Sequence, residues 1–429
     1  MSDNYSFEIL HWEKNFGKPI ESWTYLPIEN LIKERKDSRV NDGSLKLCSL
    51  TIEDGVVEKS ERYNREFLLK NQKENKYKCV HPNDIVINPM NLRFGAISKS
   101  EHSEPVLVSG YYNVVSASKL VDTDYLNSFL KSTAMNYMYE RVALGTLNEK
   151  KRVHLSELKK IVVPIPTISE QLKIGQILST WDKVITITEK LIETSKQQKK
   201  ALMQQLLTGN KRLVNPKTGK VFEGEWEELH LKDICEVNPK KAKEPENGLV
   251  SFVPMDAVSE DAKLLRTDEK PYSEVSKGFT SFKDLDTLIA KITPCFENGK
   301  GALVNHLENG IGFGSTEFHV LRAKQGNAPD FVYYLTTTSA FRVRGEMNMQ
   351  GSAGQKRVTT DYLKLYKVVV PKELNEQKKI ASVLTAADKE IEVLEAKLAH
   401  FKQEKKALVQ QLLTGKRRVN AEKQTEVAV

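Results

Sequence analysis

The sequence predicts an α+β fold in which two pseudo-symmetric mixed α/β domains are joined by two long antiparallel coiled-coil helices. Two observations carry that prediction: a near-identical internal repeat, and an apolar seam at heptad spacing in both copies. The segment Lys199-Lys200-Ala201-Leu202-Met203-Gln204-Gln205-Leu206-Leu207-Thr208-Gly209 returns 206 positions later as Lys405-Lys406-Ala407-Leu408-Val409-Gln410-Gln411-Leu412-Leu413-Thr414-Gly415, with ten of the eleven residues identical.

The duplication extends over the rest of the chain. The same offset pairs Glu170-Gln171 with Glu376-Gln377, Ile174 with Ile380, Leu178 with Leu384 and Asp182 with Asp388. An offset of 205 aligns Lys151-Arg152-Val153 with Lys356-Arg357-Val358 and Pro166 with Pro371, and an offset of 203 aligns Trp23 with Trp226. Each copy is therefore a globular part followed by a long helix. The expected divisions are 1–166 for the first globular domain, 167–212 for the first helical segment, 213–371 for the second domain, 372–416 for the second helical segment, and a tail at 417–429.

Within the globular parts, Asp84 to Asn88, Ile161 to Ile165, Thr287 to Ile292 and Tyr366 to Val370 read as strands bounded by Pro, Gly or Asn. Short helices are expected at Asp124 to Ser132 and Asp330 to Thr338, and breaks at Asp42-Gly43, Asn298-Gly299 and Asn309-Gly310. The helix-pairing positions follow by alternate steps of four and three. In the first copy these are Ile174, Leu178, Trp181, Ile185, Thr188, Ile192, Ser195, Lys199, Leu202 and Leu206. In the second they are Ile380, Leu384, Ala387, Ile391, Leu394, Leu398, Phe401, Lys405, Leu408 and Leu412. Two copies of one helix, each with a single apolar stripe, can cover each other by packing antiparallel. The lysines on the seam, Lys199 and Lys405, are expected to extend their charged ends out of it, with register control as the sharper reading. Thr208-Gly209 and Thr414-Gly415 supply the stops.

Composition narrows the function class. With 65 Lys and Arg against 57 Asp and Glu, the net charge of +8 favours an anionic partner. Cys48, Cys79, Cys235 and Cys295 form no C-x-x-C pair, so neither a structural metal site nor a disulfide framework is expected, and a reducing cytoplasm fits. No run of about eighteen apolar residues suggests a membrane span.

No catalytic frame stands out either. There is no G-x-x-x-x-G-K-[ST], and Asn88-Pro89-Met90 lacks the second proline of an adenine-methyltransferase loop. Gly310, Gly312 and Gly314 form a lone G-x-G-x-G that reads as an ordinary flexible turn, and Glu74-Asn75-Lys76 is an E-x-K that arises by accident in so charged a chain. The eight histidines show no paired ligand spacing. A binder with no catalytic, cofactor or metal residues of its own is the expectation.

Two half-length repeats, each closing on K-K-A-L-x-Q-Q-L-L-T-G, with Pro166 or Pro371 ahead of S-E-Q or N-E-Q, resemble the specificity (S) subunit of Type I restriction-modification systems. The resemblance implies two target-recognition domains, each reading half of a bipartite, asymmetric double-stranded DNA site, with the paired helices as spacer. It also implies two methyltransferase (M) subunits docked on this chain, and motor-nuclease (R) subunits in the full complex. Methylation with S-adenosylmethionine and ATP-driven cleavage would then belong to those partners.

Base edges are read by Arg, Lys, Asn and Gln. Candidate DNA contacts in the first domain are Asn88, Asn91, Arg93 and Lys99, in a strand-turn with few acids nearby in sequence, followed by the cluster Lys150-Lys151-Arg152. In the second they are Arg266, Lys291, Asn298 and Lys300, followed by Gln355-Lys356-Arg357. Solvated surface competes with contact for each single residue; the two clusters recur at matching places, which favours contact. A coiled-coil scaffold with protein-binding heads, or a stand-alone methyltransferase-nuclease, are the alternatives.

Overall fold

The computed structural model describes residues 5–59, 76–146, 151–352 and 354–419. The chain divides into two compact units, one of Met1–Glu189 with Ala396–Val429 and one of Lys190–Glu395. Each holds one head and part of both long helices, Ile168–Leu206 and Leu374–Leu412, which have 39 residues apiece.

The heads share one framework. In unit 1 an antiparallel sheet runs Ile32–Glu34, Asn113–Ala117, Ile85–Ile87, Ile97–Lys99, and in unit 2 the matching order is Cys235–Val237, Phe318–Ala323, Thr287–Ala290, Gly301–Leu303. The inner strands Ile-Val-Ile and Thr-Leu-Ile-Ala are buried along their whole length, as β-branched and apolar runs covered on both faces must be. Each of these strands starts behind a buried aspartate with the same role. Asp84 accepts the His81 N–H at 2.9 Å and pairs with Arg35 at 2.7 Å; Asp286 accepts the Lys283 N–H at 2.7 Å and pairs with Arg322 at 2.6 Å. A two-stranded ribbon closes each head, Thr24–Pro27 with Val162–Ile165 and Trp226–His230 with Lys367–Pro371.

The short helices begin one residue earlier and end two earlier than the sequence suggests, at Thr123–Leu130 and Pro329–Thr336. Capping explains the difference. Ser132 and Thr338 are N-caps of a further helix in each head, Thr133–Val142 and Ser339–Met347, and accept the Met135 and Phe341 N–H groups at 3.2 Å.

Outside the shared framework the heads differ. Unit 1 carries the strands Ser38–Val40, Lys76–Val80 and Val106–Val108 and the hairpin Cys48–Thr51 with Gly55–Glu58. Unit 2 carries a four-stranded sheet in the order Asp268–Pro271, Leu249–Val253, Ile311–Gly314, Thr280–Lys283. This sheet corrects the reading of Gly310-x-Gly312-x-Gly314 as a flexible turn. Gly312 and Gly314 lie in an inner strand, and Gly312 faces Phe282 across the ladder, where a Cβ would come within 2.0 Å of the ring. The glycine is needed so that the buried Phe282 can lie over its own partner strand. Gly312→Ala is expected to destabilise unit 2 by about 1–3 kcal/mol through overpacking. Urea denaturation measures it, and an unchanged midpoint would refute the packing account.

Both helical seams are occupied within each unit. In unit 1, Ile174 and Leu178 are buried in one cluster with Leu412 and Leu413, with Leu408 packed against it. Trp181 meets Phe401 edge-on, ring centroids 5.9 Å apart, and Ile185 is half-buried between Trp181 and the buried Thr188 along its helix. In unit 2, Leu206 is buried with Ile380 and Leu384, with Leu202 against them, and Ile192 and Ile391 are buried. Leu394 in unit 2 and Leu398 in unit 1 are half-buried. The pairing is therefore start to end, the antiparallel arrangement. The first turns of each helix are also part of the head core: Ile174 shares its cluster with Tyr125 and Phe129, and Ile380 shares its cluster with Phe331.

The seam lysines do not simply extend into water. Lys199 Nζ lies 2.5 Å from Asp388, and Lys405 pairs with Asp182. Those pairs are the same pair twice, since 182 and 199 become 388 and 405 on adding 206. Lys196–Glu395 at 2.8 Å and Lys402–Glu189 at 2.7 Å repeat the pattern one turn away. Each helix then stops as its sequence indicates, with Gly209 and Gly415 at φ of 74° and 70°.

Candidate nucleic-acid interface

In each head the inner strand runs out into a turn, and a second loop is bonded along that turn. In unit 1, Leu144 and Arg152 exchange two backbone hydrogen bonds of 2.9 Å, and the Val153 N–H donates to the Pro89 carbonyl at 3.0 Å. In unit 2, Gln350 and Arg357 exchange bonds of 2.9 and 2.8 Å, and the Val358 N–H donates to the Lys291 carbonyl at 2.9 Å. The recurring basic clusters of the sequence are thus presented by the same two-loop construction, fixed by backbone bonds.

Around the unit 1 turn the structure gathers Asn88, Asn91, Arg93, Lys151 and Arg152. Asn88 is spent on the turn itself, its Oδ1 accepting the Met90 N–H at 3.1 Å. Asn91 is exposed, and Arg152 lies over the Tyr111 ring at 5.8 Å. The neighbourhood is not poor in acids, contrary to the sequence reading, because the helix Thr133–Val142 brings Glu140 to it. The Arg93 side chain is only 4% exposed and binds Glu140 at 2.6 Å, with Lys151 3.6 Å from the same carboxylate. The bond from Arg93 holds the Glu140 carboxyl below its ordinary range. Lys99 is not part of this group. It pairs with Ile85 at the other end of the hairpin, and its ammonium is held by Asp124 at 2.5 Å and Glu101 at 3.3 Å. Burial opposes the Lys99 charge, but these acids outweigh it and raise the pKa. Lys150 lies outside the described residues.

In unit 2, Lys291, Gln355, Lys356 and Arg357 come together: the Thr293 N–H donates to the Lys356 carbonyl at 3.0 Å, and Arg357 Nη1 donates to the Gln355 carbonyl at 2.9 Å. Lys356 is exposed, while Arg357 binds Glu317 at 2.9 Å and lowers that carboxyl's pKa. Asn298 and Lys300 belong to the connection beyond the inner strand. Asn298 donates to Glu260 at 2.8 Å, and the Lys300 carbonyl accepts the Ala290 N–H at 3.0 Å. Arg266 lies on the neighbouring segment, paired with Asp256 at 2.8 Å, beside the Met255 carbonyl to which Lys300 Nζ donates at 3.5 Å.

Sequence reasoning missed Tyr111, over whose ring Arg152 lies. Tyr111 left no signal in the sequence, because only folding brings it to Arg152.

A family described as the Type I restriction modification DNA specificity domain matches residues 53–197 and 223–403, one stretch in each half of the chain. The chain belongs to this family. Among specificity-family relatives, it is 38% identical over 149 residues to the Type I restriction enzyme EcoEI specificity subunit of Escherichia coli, covering 34% of this chain. To the EcoAI specificity subunit of Escherichia coli it is 40% identical over 157 residues, or 36% of this chain. These alignments span 25% and 26% of the two relatives' own lengths. The specificity-family fold is also that of a crystal structure of a Type-I restriction-modification system S subunit from M. genitalium. That likeness has a TM-score of 0.55 at 12% identity and covers 91% of this chain and 96% of the other. Among the described residues no helix is long and apolar enough to cross a membrane.

Proposed function

We propose that this chain is the DNA-recognition subunit of a Type I restriction-modification complex. Residues 1–166 and 213–371 act as two target-recognition domains, each reading one half of a bipartite, asymmetric double-stranded site. The helical segments 167–212 and 372–416 serve as the spacer and, with their duplicated surfaces, as the platform for two methyltransferase subunits, to which motor-nuclease subunits add. The chain contributes no bond-breaking chemistry; methyl transfer and ATP hydrolysis belong to the partners.

The observation that carries this reading is the duplication of the two-loop construction, each copy presenting a basic cluster, within two heads whose remaining sheets differ. Repetition supports a task performed twice, and divergence supports two different half-sites. Lys151, Arg152, Lys356 and Arg357 are the phosphate-facing residues in this proposal, with Asn91 and Lys291 beside them. Arg93 and Lys99 instead act through Glu140 and Asp124, as supports.

Equilibrium binding of the chain with its methyltransferase partners to a target duplex, measured against salt, tests the proposal. Affinity is expected to fall linearly on a log–log plot, and replacing Lys151 or Lys356 by alanine is expected to weaken binding and reduce the slope by about one each. Salt-independent binding, or an unchanged slope in both variants, would count against it. Transfer of labelled methyl groups to DNA by the chain alone would refute the non-catalytic assignment.

A further inference from the structure

We infer that the first head carries a binding site for a zinc-like divalent transition metal, formed by Asp37, Cys79 and His81. These three present a carboxylate, a thiol and an imidazole whose ligand atoms all lie within 4.8 Å of one another, the one such group of His, Cys and acidic residues among the described residues. Neither sequence spacing nor the absence of a C-x-x-C motif reveals it, because Asp37 and Cys79 are 42 positions apart and are brought together by the strand pairing of Ser38 with Lys78.

The scaffold is built from both sides. The Cys79 N–H donates to the Asp37 carbonyl at 3.1 Å, which fixes the two backbones. The His81 N–H donates to Asp84, which is itself held by Arg35, so the His81 backbone is anchored as well. His81 Nε2 and Asp37 Oδ2 are 3.4 Å apart, close to the edge of about 3.3 Å that a tetrahedral ion with bonds near 2.0 Å requires. Cys79 is fully buried behind them, while His81 and Asp37 are partly exposed and give the ion a way in.

Donor chemistry selects the metal class. Sulfur and nitrogen donors suit zinc, cobalt or copper and disfavour calcium and magnesium, which want oxygen. Three protein ligands leave a fourth position for water. On binding, the thiol proton passes to solvent and the thiolate becomes the ligand. Arg39 lies 3.8 Å from Asp37 and would compete for that carboxylate, but both side chains are nearly half exposed and free to part. The second head provides an internal comparison. Counting back from its matching aspartate, Asp286, it has Ser281 and Lys283 where the first head has Cys79 and His81, so it cannot repeat the site. A bound ion would pin the strand Ser38–Val40 to Lys76–Val80.

The test uses the purified full-length chain, stripped with a chelator and titrated first with zinc chloride and then, in a separate sample, with cobalt(II). One ion per chain is expected, and the cobalt form should show thiolate-to-metal charge-transfer absorption. Cys79→Ser should abolish that absorption. His81→Gln and Asp37→Asn, at partly exposed positions that leave the core intact, should each weaken binding by roughly tenfold or more. Cys48→Ser should leave binding unchanged, although Cys48 lies 3.7 Å from His102 and offers a rival thiol–imidazole pair. Failure to bind zinc at micromolar concentration would overturn the proposal. Unchanged affinity in both His81→Gln and Asp37→Asn, or charge transfer that follows Cys48, would overturn it equally.

Discussion

Replacing Arg212 by alanine is expected to remove about 3–5 kcal/mol of stability from the second unit. Arg212 forms two bonds to Glu376, of 2.5 and 2.7 Å, just after the first long helix ends and just after the second begins. Glu376 is essentially inaccessible to water at 1% side-chain exposure, while Arg212 is 23% exposed. A carboxylate at that depth has already lost its hydration, so deleting the guanidinium leaves a buried charge with no compensation rather than a merely weakened contact. The variant also loses the stacking of Arg212 over Trp226 at 5.9 Å. The expected signature is a lower denaturation midpoint in urea, together with faster amide exchange in the ribbon Trp226–His230 with Lys367–Pro371. The double variant Arg212→Met, Glu376→Leu should recover most of the loss, since it removes both charges and keeps the volume. If the single variant is as stable as the parent, or the double is no better than the single, the buried-charge account fails.

The long helices were the most legible part of the chain because their pattern is local and repeated. Ile174, Leu178, Ile380 and Leu384 show at heptad spacing, and their duplication removes the ambiguity of a single amphipathic stretch. The inner strands were legible for a similar reason, as short apolar runs between turn residues. The ion pairs were not. Nothing adjacent to Arg93 in sequence suggests Glu140, which lies 47 positions away and arrives on a helix that the sequence reading did not foresee. Lys99 is no more legible, since its partner Asp124 lies 25 positions away, although on a helix that the sequence does predict. An arginine in an apparently basic turn can therefore be a structural cation, and only tertiary packing distinguishes it from one that faces a ligand. Gly312 failed to read as part of a strand because glycine lacks the β-branched signature, although its absent side chain is what allows Phe282 to pack there.

On the proposed function, exchanging residues 1–166 for the corresponding head of another family member should change one half of the recognised DNA site and leave the other intact. The junction is favourable for a physical reason. Gln171, in the first turn of the long helix, donates to the Pro166 and Leu120 carbonyls at 2.9 and 3.2 Å and accepts the Asp122 N–H at 2.8 Å. Gln377 repeats the latch in the second head, bonding to the Pro371 carbonyl at 3.0 Å and the Ala328 N–H at 2.9 Å. The first latch grips backbone groups only, and the second reaches one side chain, Asn327. A foreign head that keeps the loop conformation therefore offers the same acceptors and donor whatever its side chains. With each mismatched base pair costing about 1–3 kcal/mol, a fully altered half-site should reduce binding to the parental target to the non-specific level. Methylation mapping of host DNA carrying the chimaera with its methyltransferase partner reads the outcome directly. Loss of the parental sequence in both halves would show that the two heads do not read independently, and retention of the full parental site would show that residues 1–166 do not read DNA at all.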